Sequence, residues 1–319
     1  MSDQPSAGRL RVLTWPVHGS YMAYLTHVPV DWYVPVRPEG GEGYGGRWSD
    51  WPETVREVAA HEVRDLRLDA VLTQSRATWL EERHAILSDE QLRLPRLHVE
   101  HDPPREHPTD TRHHVDDPDA LLVHVTAFNA LMWDSGSTPT RVIDHGVVVP
   151  DSVTYTGELD RGLVVINELR RRGRRLGWDV FERARAAVPL DLVGMRADEA
   201  GGLGEVRHSD LPAFAARYRF FFHPVRYTSL GLAVCEAMML GMPIVGLATT
   251  ELVTVIENGV SGYTATSVEP LVERMRELVA DPSEARRLGA GARATALERF
   301  GIERFASDWM AAFREAGAR

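Results

Sequence analysis

The amino-acid sequence predicts an α/β protein built on parallel sheets and divided into two domains. Three observations lead there. Short apolar runs alternate with helical segments nearly end to end, the pattern of strands joined by crossover helices. The chain has 319 residues, 44% hydrophobic and 26% charged. At roughly 100–200 residues per domain, that length suggests two. No stretch approaches the ~18 consecutive apolar residues of a membrane span, and residues 1–8 show no apolar run of a leader peptide.

In the first half, residues 10–15 read as a buried first strand. Pro16-Val17-His18-Gly19 forms the loop after it, with Ser20 as a cap for a helix over 21–27. Residues 31–36 are a second strand. A helix is expected over 53–66, with Asp50 near its start and Pro52 where a first-turn proline is tolerated. Strands follow at 69–73, 96–101 and 121–126, then a helix from about 127 and a short strand at 141–144. Residues 146–156, valine-rich with Pro150, read as a crossover. A second α/β series then runs as strand 162–167, strand 190–194, helix 209–217, strand 219–223, helix 230–240, strand 243–248, helix 251–258 and strand 262–265. Three helices close the chain, at about 268–280, 283–299 and 302–317.

Charge narrows the chemistry. All 36 basic residues are arginine and none is lysine. A pyridoxal Schiff base, a P-loop lysine, a kinase strand lysine and a Ser-Lys dyad are therefore excluded. Cationic work falls to guanidinium groups, which fork onto phosphate. The net charge of −10 argues against nucleic acid as a partner. The single cysteine, Cys235, excludes intramolecular disulfides and cysteine-based zinc clusters.

Two segments carry candidate chemistry. The strand ending at His223-Pro224 leads through Thr228-Ser229-Leu230-Gly231 into a helix that stops at Gly241. This places backbone N–H groups and a positive dipole end at the carboxyl edge of a parallel sheet, where open α/β sheets bind ligands. Glu236, two turns into that helix, is suited to accept bonds from a diol such as a ribose. The plainer alternative is that Thr228 or Ser229 simply caps the helix and Glu236 meets solvent or an arginine. The second segment is Arg170-Arg171-Arg172-Gly173-Arg174-Arg175, after the strand 162–167. It could neutralise a diphosphate, or form a solvated charged loop.

The segment 219–263 resembles the carboxyl-terminal domain of family-4 retaining glycosyltransferases, which have the two-domain GT-B fold. The residues that carry the likeness are His223-Pro224, Gly231-Leu232 to Glu236-Ala237-Met238, Gly241-Met242-Pro243-Ile244-Val245 and Glu251 to Glu257-Asn258-Gly259-Val260-Ser261-Gly262-Tyr263. Asp281-Pro282 to Arg286-Arg287-Leu288-Gly289, Ala292-Arg293 and Phe300 extend it, so that it covers about residues 160–315 well and 10–150 loosely.

The resemblance implies two Rossmann-like domains facing each other across a cleft. An acceptor-side domain would span 1–148 and a nucleotide-sugar domain 149–301, with a helix over 302–319 crossing back to the first. It implies retaining transfer of a hexose-type sugar from a nucleotide-diphosphate donor, with no metal or other cofactor. The acceptor, whether a sugar, a lipid-linked molecule or another small molecule, and the oligomeric state stay open. A cytoplasmic protein is expected, with peripheral membrane work in some relatives.

Position by position, Glu236 falls on the second glutamate of the family's E-x7-E pattern, the residue that holds the donor ribose. Thr228 stands where the first glutamate would be, and Ser229 replaces the glycine after it. Arg174 and Arg175 substitute for the family's Arg-and-Lys diphosphate clamp, with Arg172 a lesser candidate. Thr249-Thr250-Glu251 offers backbone N–H groups to the donor, as do the helix-start residues Leu230 and Gly231. Gly19 occupies the first strand-to-helix loop, where the family brings backbone against the diphosphate. His101 fits the position of a histidine near the donor sugar, or is a packed histidine. In such a reaction arginines and a helix N-terminus stabilise the leaving diphosphate without reorganisation. Two rival readings remain: a degenerate binding module of the same fold, for which Thr228 speaks, and a nucleotide-sugar epimerase of the same shape.

Other motifs are weaker. Gly41-Glu42-Gly43-Tyr44-Gly45-Gly46 fits G-x-G-x-x-G literally but lies too far from both strand and helix to aim at a pyrophosphate. Trp48 and Trp51 border the acceptor or anchor their loop. Asp117-Pro118-Asp119 precedes a strand instead of ending one and reads as a turn. His98, His101, His107, His113, His114 and His124 lack helical H-x3-H spacing and are not read as a metal site. Gly201-Gly202-Leu203-Gly204 is a turn beside the donor or merely a loop.

Overall fold

The computed structural model describes residues 8–48 and 51–319. The residues read above for a leader peptide, other than Gly8, and Asp50 lie outside the described residues. By internal contacts the chain divides into two compact units, Met1–Gly146 with Ile302–Arg319, and Val147–Gly301.

The first unit is built on a seven-stranded parallel sheet. In chain order its strands are β1 (Arg11–Thr14), β2 (Asp31–Val36), β3 (Val55–Ala59), β4 (Ala70–Thr73), β5 (Arg96–Glu100), β6 (Ala120–His124) and β7 (Thr140–Val142). Their spatial order is β3-β2-β1-β4-β5-β6-β7. The order reverses between β1 and β4, and such a switch point opens a crevice at the carboxyl ends of the strands. Helix α1 (Gly19–Leu25) follows β1, α2 (Arg83–Ile86) follows β4 after a π-turn at Thr78–Glu82, and α3 (Ala127–Met132) follows β6.

One expectation fails here. Residues 53–66 form strand β3 and a 3-10 helix, Ala60–Asp65, instead of one α-helix. The apolar spacing of Val55, Val58, Val63 and Leu66 satisfies a helical pattern. Yet Val55–Ala59 pairs with β2 from Trp32↔Val55 to Val36↔Ala59, while Val58, Val63 and Leu66 pack with Leu13, Trp15 and Val71. Sheet pairing overrides the local period. Ser20 is not a cap either: α1 starts at Gly19 behind His18, without a side-chain cap.

The second unit is a five-stranded parallel sheet of β8 (Leu159–Val165), β9 (Leu190–Val193), β10 (Tyr218–His223), β11 (Ile244–Leu247) and β12 (Gly262–Ala265), in the order β12-β11-β10-β8-β9. Its switch point lies between β8 and β10. Helices α4 (Leu169–Arg172) and α5 (Trp178–Arg185) follow β8, α6 (Leu211–Ala215) precedes β10, and α7 (Leu232–Leu240) joins β10 to β11. After α8 (Leu252–Val255), shorter than the expected 251–258, come α9 (Val268–Ala280) and α10 (Pro282–Arg299). Asp281 starts α10 as a side-chain cap, accepting from the N–H groups of Ser283 and Glu284 ahead of a first-turn proline. Phe220, Phe222, Val245, Leu271 and Met275 lie in the core beneath these helices. Arg219 is buried among them and donates to the carbonyls of Gly157, Leu278 and Val279, satisfying the end of α9.

The last helix, α11 (Ile302–Gly317), belongs to the first unit. Phe305, Trp309, Ala312, Phe313 and Ala316 form its buried stripe at helical spacing. Trp309 donates its indole N–H to Tyr21 Oη at 3.2 Å, and Phe313 meets the Trp32 ring at 6.1 Å. No helix among the described residues is long and apolar enough to cross a membrane.

Candidate functional site

In the second unit, three loops converge at the carboxyl edge of the sheet. The Arg175 carbonyl accepts the N–H groups of Arg226 at 3.0 Å and Tyr227 at 3.2 Å, tying the loop after β8 to the loop after β10. The Arg226 guanidinium donates to the Arg174 carbonyl at 2.9 Å and to both oxygens of Asp179, at 2.5 and 2.8 Å. Arg174 donates to the same carboxylate at 2.6 Å from an exposed position. Hydrogen bonds from Arg226 are the first cause holding the Asp179 carboxyl below its usual range. Gly177 makes this stitching possible. Its φ is +82°, and a Cβ there would lie 1.9 Å from the Pro224 carbonyl oxygen. Thr249, after β11, donates to the Val225 carbonyl at 3.0 Å and joins the third loop to the other two.

The chain from Thr228 to Gly231 then enters α7. The first residue flanking the helix is Gly231, with extended backbone and no side-chain cap. The expectation that Thr228 or Ser229 is the cap residue of this helix is therefore corrected: Gly231 takes the N-cap position, with Ser229 and Leu230 buried before it. The α7 N-terminus keeps its dipole toward the sheet edge. Glu236 is buried on α7 at 8% exposure, and His208 Nε2 lies 3.2 Å from its Oε1. Burial thus excludes a solvent-facing Glu236 and sets it within hydrogen-bond distance of a histidine.

Thr250 has φ of +51°, strained for a β-branched residue. Glu251 is 2% exposed; Thr254 donates to its Oε1 at 2.6 Å and Arg299 at 2.5 Å. Its carboxylate is thus committed inward, and contact with a ligand falls to the backbone. His223, at the end of β10, is kept neutral by burial, which pushes it down to about 4.

In the first unit, Gly19 lies at the switch point beyond β1. A Cβ at Gly19 would sit 2.0 Å from Trp48 Cζ2, so the indole rests on this backbone. Trp48 stacks on Trp51 at 5.6 Å and 27°. Trp51 is buried at 4% and anchors the loop, while Trp48 is 40% exposed. His101 follows β5, with its ring 4.1 Å from His18 and 4.6 Å from the edge of Tyr21. Its Nε2 is buried without a hydrogen-bond partner, and burial holds the ring well below the usual histidine range. The Gly41–Gly46 turn instead closes on β2 through a Val36↔Gly45 bridge, with Tyr44 donating to Glu82 at 2.5 Å. Asp117 and Asp119 pair with Arg96.

Sequence reasoning missed Asp179, Arg226, His208 and His18. Arg226 lies in the loop after His223-Pro224 and Asp179 four residues beyond the arginine run, but only the tertiary fold pairs them. His18 precedes Gly19 in the noted loop. No spacing links His208 to Glu236, 28 residues away.

Residues 197–295 match the family model described as glycosyl transferases group 1. Among solved structures, the chain resembles sucrose-phosphate synthase from Thermosynechococcus elongatus at 15% identity and TM-score 0.69, covering 97% of this chain and 100% of that one. It resembles HepE from Anabaena, solved in complex with UDP-glucose, at 14% identity and TM-score 0.65, with 96% and 100% covered. TarM from S. aureus, in a complex with UDP, matches at 15% identity and TM-score 0.58, over 80% of this chain and 58% of that chain. No curated protein matches in sequence. The chain therefore has the α/β fold of GT-B glycosyltransferases, and its second unit carries a glycosyl transferases group 1 segment.

Proposed function

We propose that the chain is a retaining glycosyltransferase that moves a hexose-type sugar from a nucleotide-diphosphate donor to a sugar, lipid-linked or small-molecule acceptor. The observation that carries this reading is the joining of the Arg174–Arg175 loop to the loop that leads through Thr228–Gly231 into α7, the helix on which Glu236 is buried. UDP-glucose in the complex of HepE and UDP in that of TarM support the same class of ligand.

In this reading Glu236 accepts the hydroxyls of the nucleoside ribose, held in place by His208. Arg175 and the uncapped start of α7 face the diphosphate and stabilise the negative charge that builds as it leaves. Fixed dipoles and guanidinium groups do this without a metal on the diphosphate. The backbone at Thr250 and Glu251 adds donors. In the first unit the Gly19 backbone and His101 take the contacts the resemblance implies. The leaving phosphate oxygen itself takes the acceptor's proton, so that no protein base is required. A cytoplasmic site of action fits the supply of nucleotide sugars.

The test is donor turnover with calorimetry against a panel of nucleoside diphosphates and their sugars. Glu236→Ala loses nucleotide binding, and Arg175→Ala lowers transfer by ~100-fold, both with unchanged circular dichroism. Retained anomeric configuration, followed by NMR, tests the stereochemistry. An unchanged rate on titration with magnesium tests the absence of a diphosphate-bound metal. Unaltered turnover in both variants would overturn the assignment. Thr228, where the family carries a glutamate, favours a second reading, a nucleotide-sugar binding module without turnover. Binding with no transfer would establish it.

A further inference from the structure

The middle of the first sheet is lined on one face by polar side chains where a covered parallel sheet is ordinarily apolar. His98 and Glu100 lie two residues apart on β5 and so share a face. Thr73 on β4 is registered beside His98, and His124 on β6 beside Glu100. The loop after β5 returns over this face and lays His113 and His114 on it. The His114 ring lies 4.8 Å from His98 and stacks on His113 at 4.2 Å. His98 and His113 are 1% and 2% exposed. Trp79 and Trp133 close the sides against His98 and His113.

We infer that His98, His113 and His114 form a binding site for one first-row divalent cation of the zinc class. One ring nitrogen from each lies within 4.8 Å of the others. Tetrahedral coordination with bonds of about 2.0–2.1 Å needs about 3.3 Å between ligand atoms, which side-chain rotation of under an ångström or so per ring supplies. His98 is already oriented: its Nδ1 lies 2.8 Å from Thr73 Oγ1, which also reaches the Leu97 carbonyl, so Nδ1–H donates outward and Nε2 keeps its lone pair. His114 Nε2 is buried without a hydrogen-bond partner.

His113 Nδ1 accepts the Val115 N–H at 3.0 Å, and its Nε2 lies 3.0 Å from Glu100 Oε2. Coordination through Nε2 transfers the ring proton to Nδ1 and opens the Val115 bond. Glu100 then stands beside the ion as the fourth ligand. Imidazole ligates a metal through the lone pair of its neutral form. Imidazole nitrogen with one carboxylate suits zinc, cobalt or nickel over magnesium or calcium. The ligands come from a strand and a loop, which is why helical H-x3-H spacing is absent. The ion would pin residues 101–119 to the sheet.

The full chain, purified without a polyhistidine tag, is loaded with zinc or cobalt and desalted. Expected are one ion per chain, the visible absorption of four-coordinate cobalt, and a thermal midpoint that rises with zinc and falls with EDTA. His114→Ala, at the half-buried ligand, weakens binding at least tenfold with unchanged circular dichroism, and His98→Gln does the same. His107→Ala, an exposed histidine of the same loop, leaves binding intact. Zinc content below a tenth of an equivalent, or equal binding in His114→Ala and the parent, overturns the site.

Discussion

Replacing Gly177 by alanine tests whether the loops after β8 and β10 are held together as described. Two costs are separable. At φ +82° an L-residue is strained by ~1–2 kcal/mol. The new methyl would also lie 1.9 Å from the Pro224 carbonyl oxygen, which is backbone and cannot swing away. Overpacking of this kind adds ~1–3 kcal/mol. Gly259→Ala is the matched control: its φ is +80°, and nothing lies within 4 Å of the added carbon. Subtracting the control isolates the clash. A difference of ~2 kcal/mol corresponds to ~4–8 °C in the melting midpoint of a unit of this size. Displacing Pro224 also pulls Arg226 and Tyr227 off the Arg175 carbonyl, so nucleoside diphosphate affinity falls by at least ~10-fold, equal to ~1.4 kcal/mol. Thermal and urea unfolding by circular dichroism, with calorimetry against nucleoside diphosphates, read both effects. Equal stability of the two variants, with nucleotide affinity unchanged in Gly177→Ala, would refute the stitching argument.

Asp179→Asn removes the carboxylate shared by Arg226 and Arg174, and at this exposed position costs ~0.2–1 kcal/mol. Because the folded-state pKa is depressed, that stabilisation is present above the unfolded value of about 3.9 and is lost as pH falls through the folded value. The acid limb of a stability-against-pH curve should flatten in the variant, and an unchanged limb would count against the pair. Arg299→Ala leaves the carboxylate of Glu251, 2% exposed, without its guanidinium and should cost ~3 kcal/mol in urea unfolding. A loss below ~1 kcal/mol would show that other donors satisfy the Glu251 carboxylate. Trp309→Ala empties the α11 stripe against Tyr21 and should cost ~3–5 kcal/mol, read as an earlier transition in near-ultraviolet circular dichroism. A midpoint within 2 °C of the parent, about 1 kcal/mol or less, would mean that α11 is dispensable to the first unit.

Most strands were legible because an apolar run buried on both faces of a parallel sheet leaves a mark in any sequence. β2 matches its expected span, and the strand, loop and helix around Thr228 were in view before any coordinates. Residues 53–66 misled because Val55, Val58, Val63 and Leu66 fit a helical period as well as a strand followed by a 3-10 turn, and only pairing with β2 decides between them. The cap at Thr228 or Ser229 failed for a related reason. Any hydroxyl before a helix looks like a cap until the fold shows which residue takes the N-cap position, here Gly231.

Composition and local pattern by themselves determined the parallel α/β architecture, the reliance on arginine for every fixed cation, and which strand ends carry polar residues. These follow from burial and from side-chain chemistry, which act within a few residues. The tertiary structure alone decided that Asp179 clamps Arg226, that His208 reaches Glu236, that Trp48 lies on Gly19, and that His98, His113 and His114 meet on one sheet face. Each of these joins residues from separate elements. Their distance is set by sheet order and loop path, quantities that no local stretch of sequence encodes.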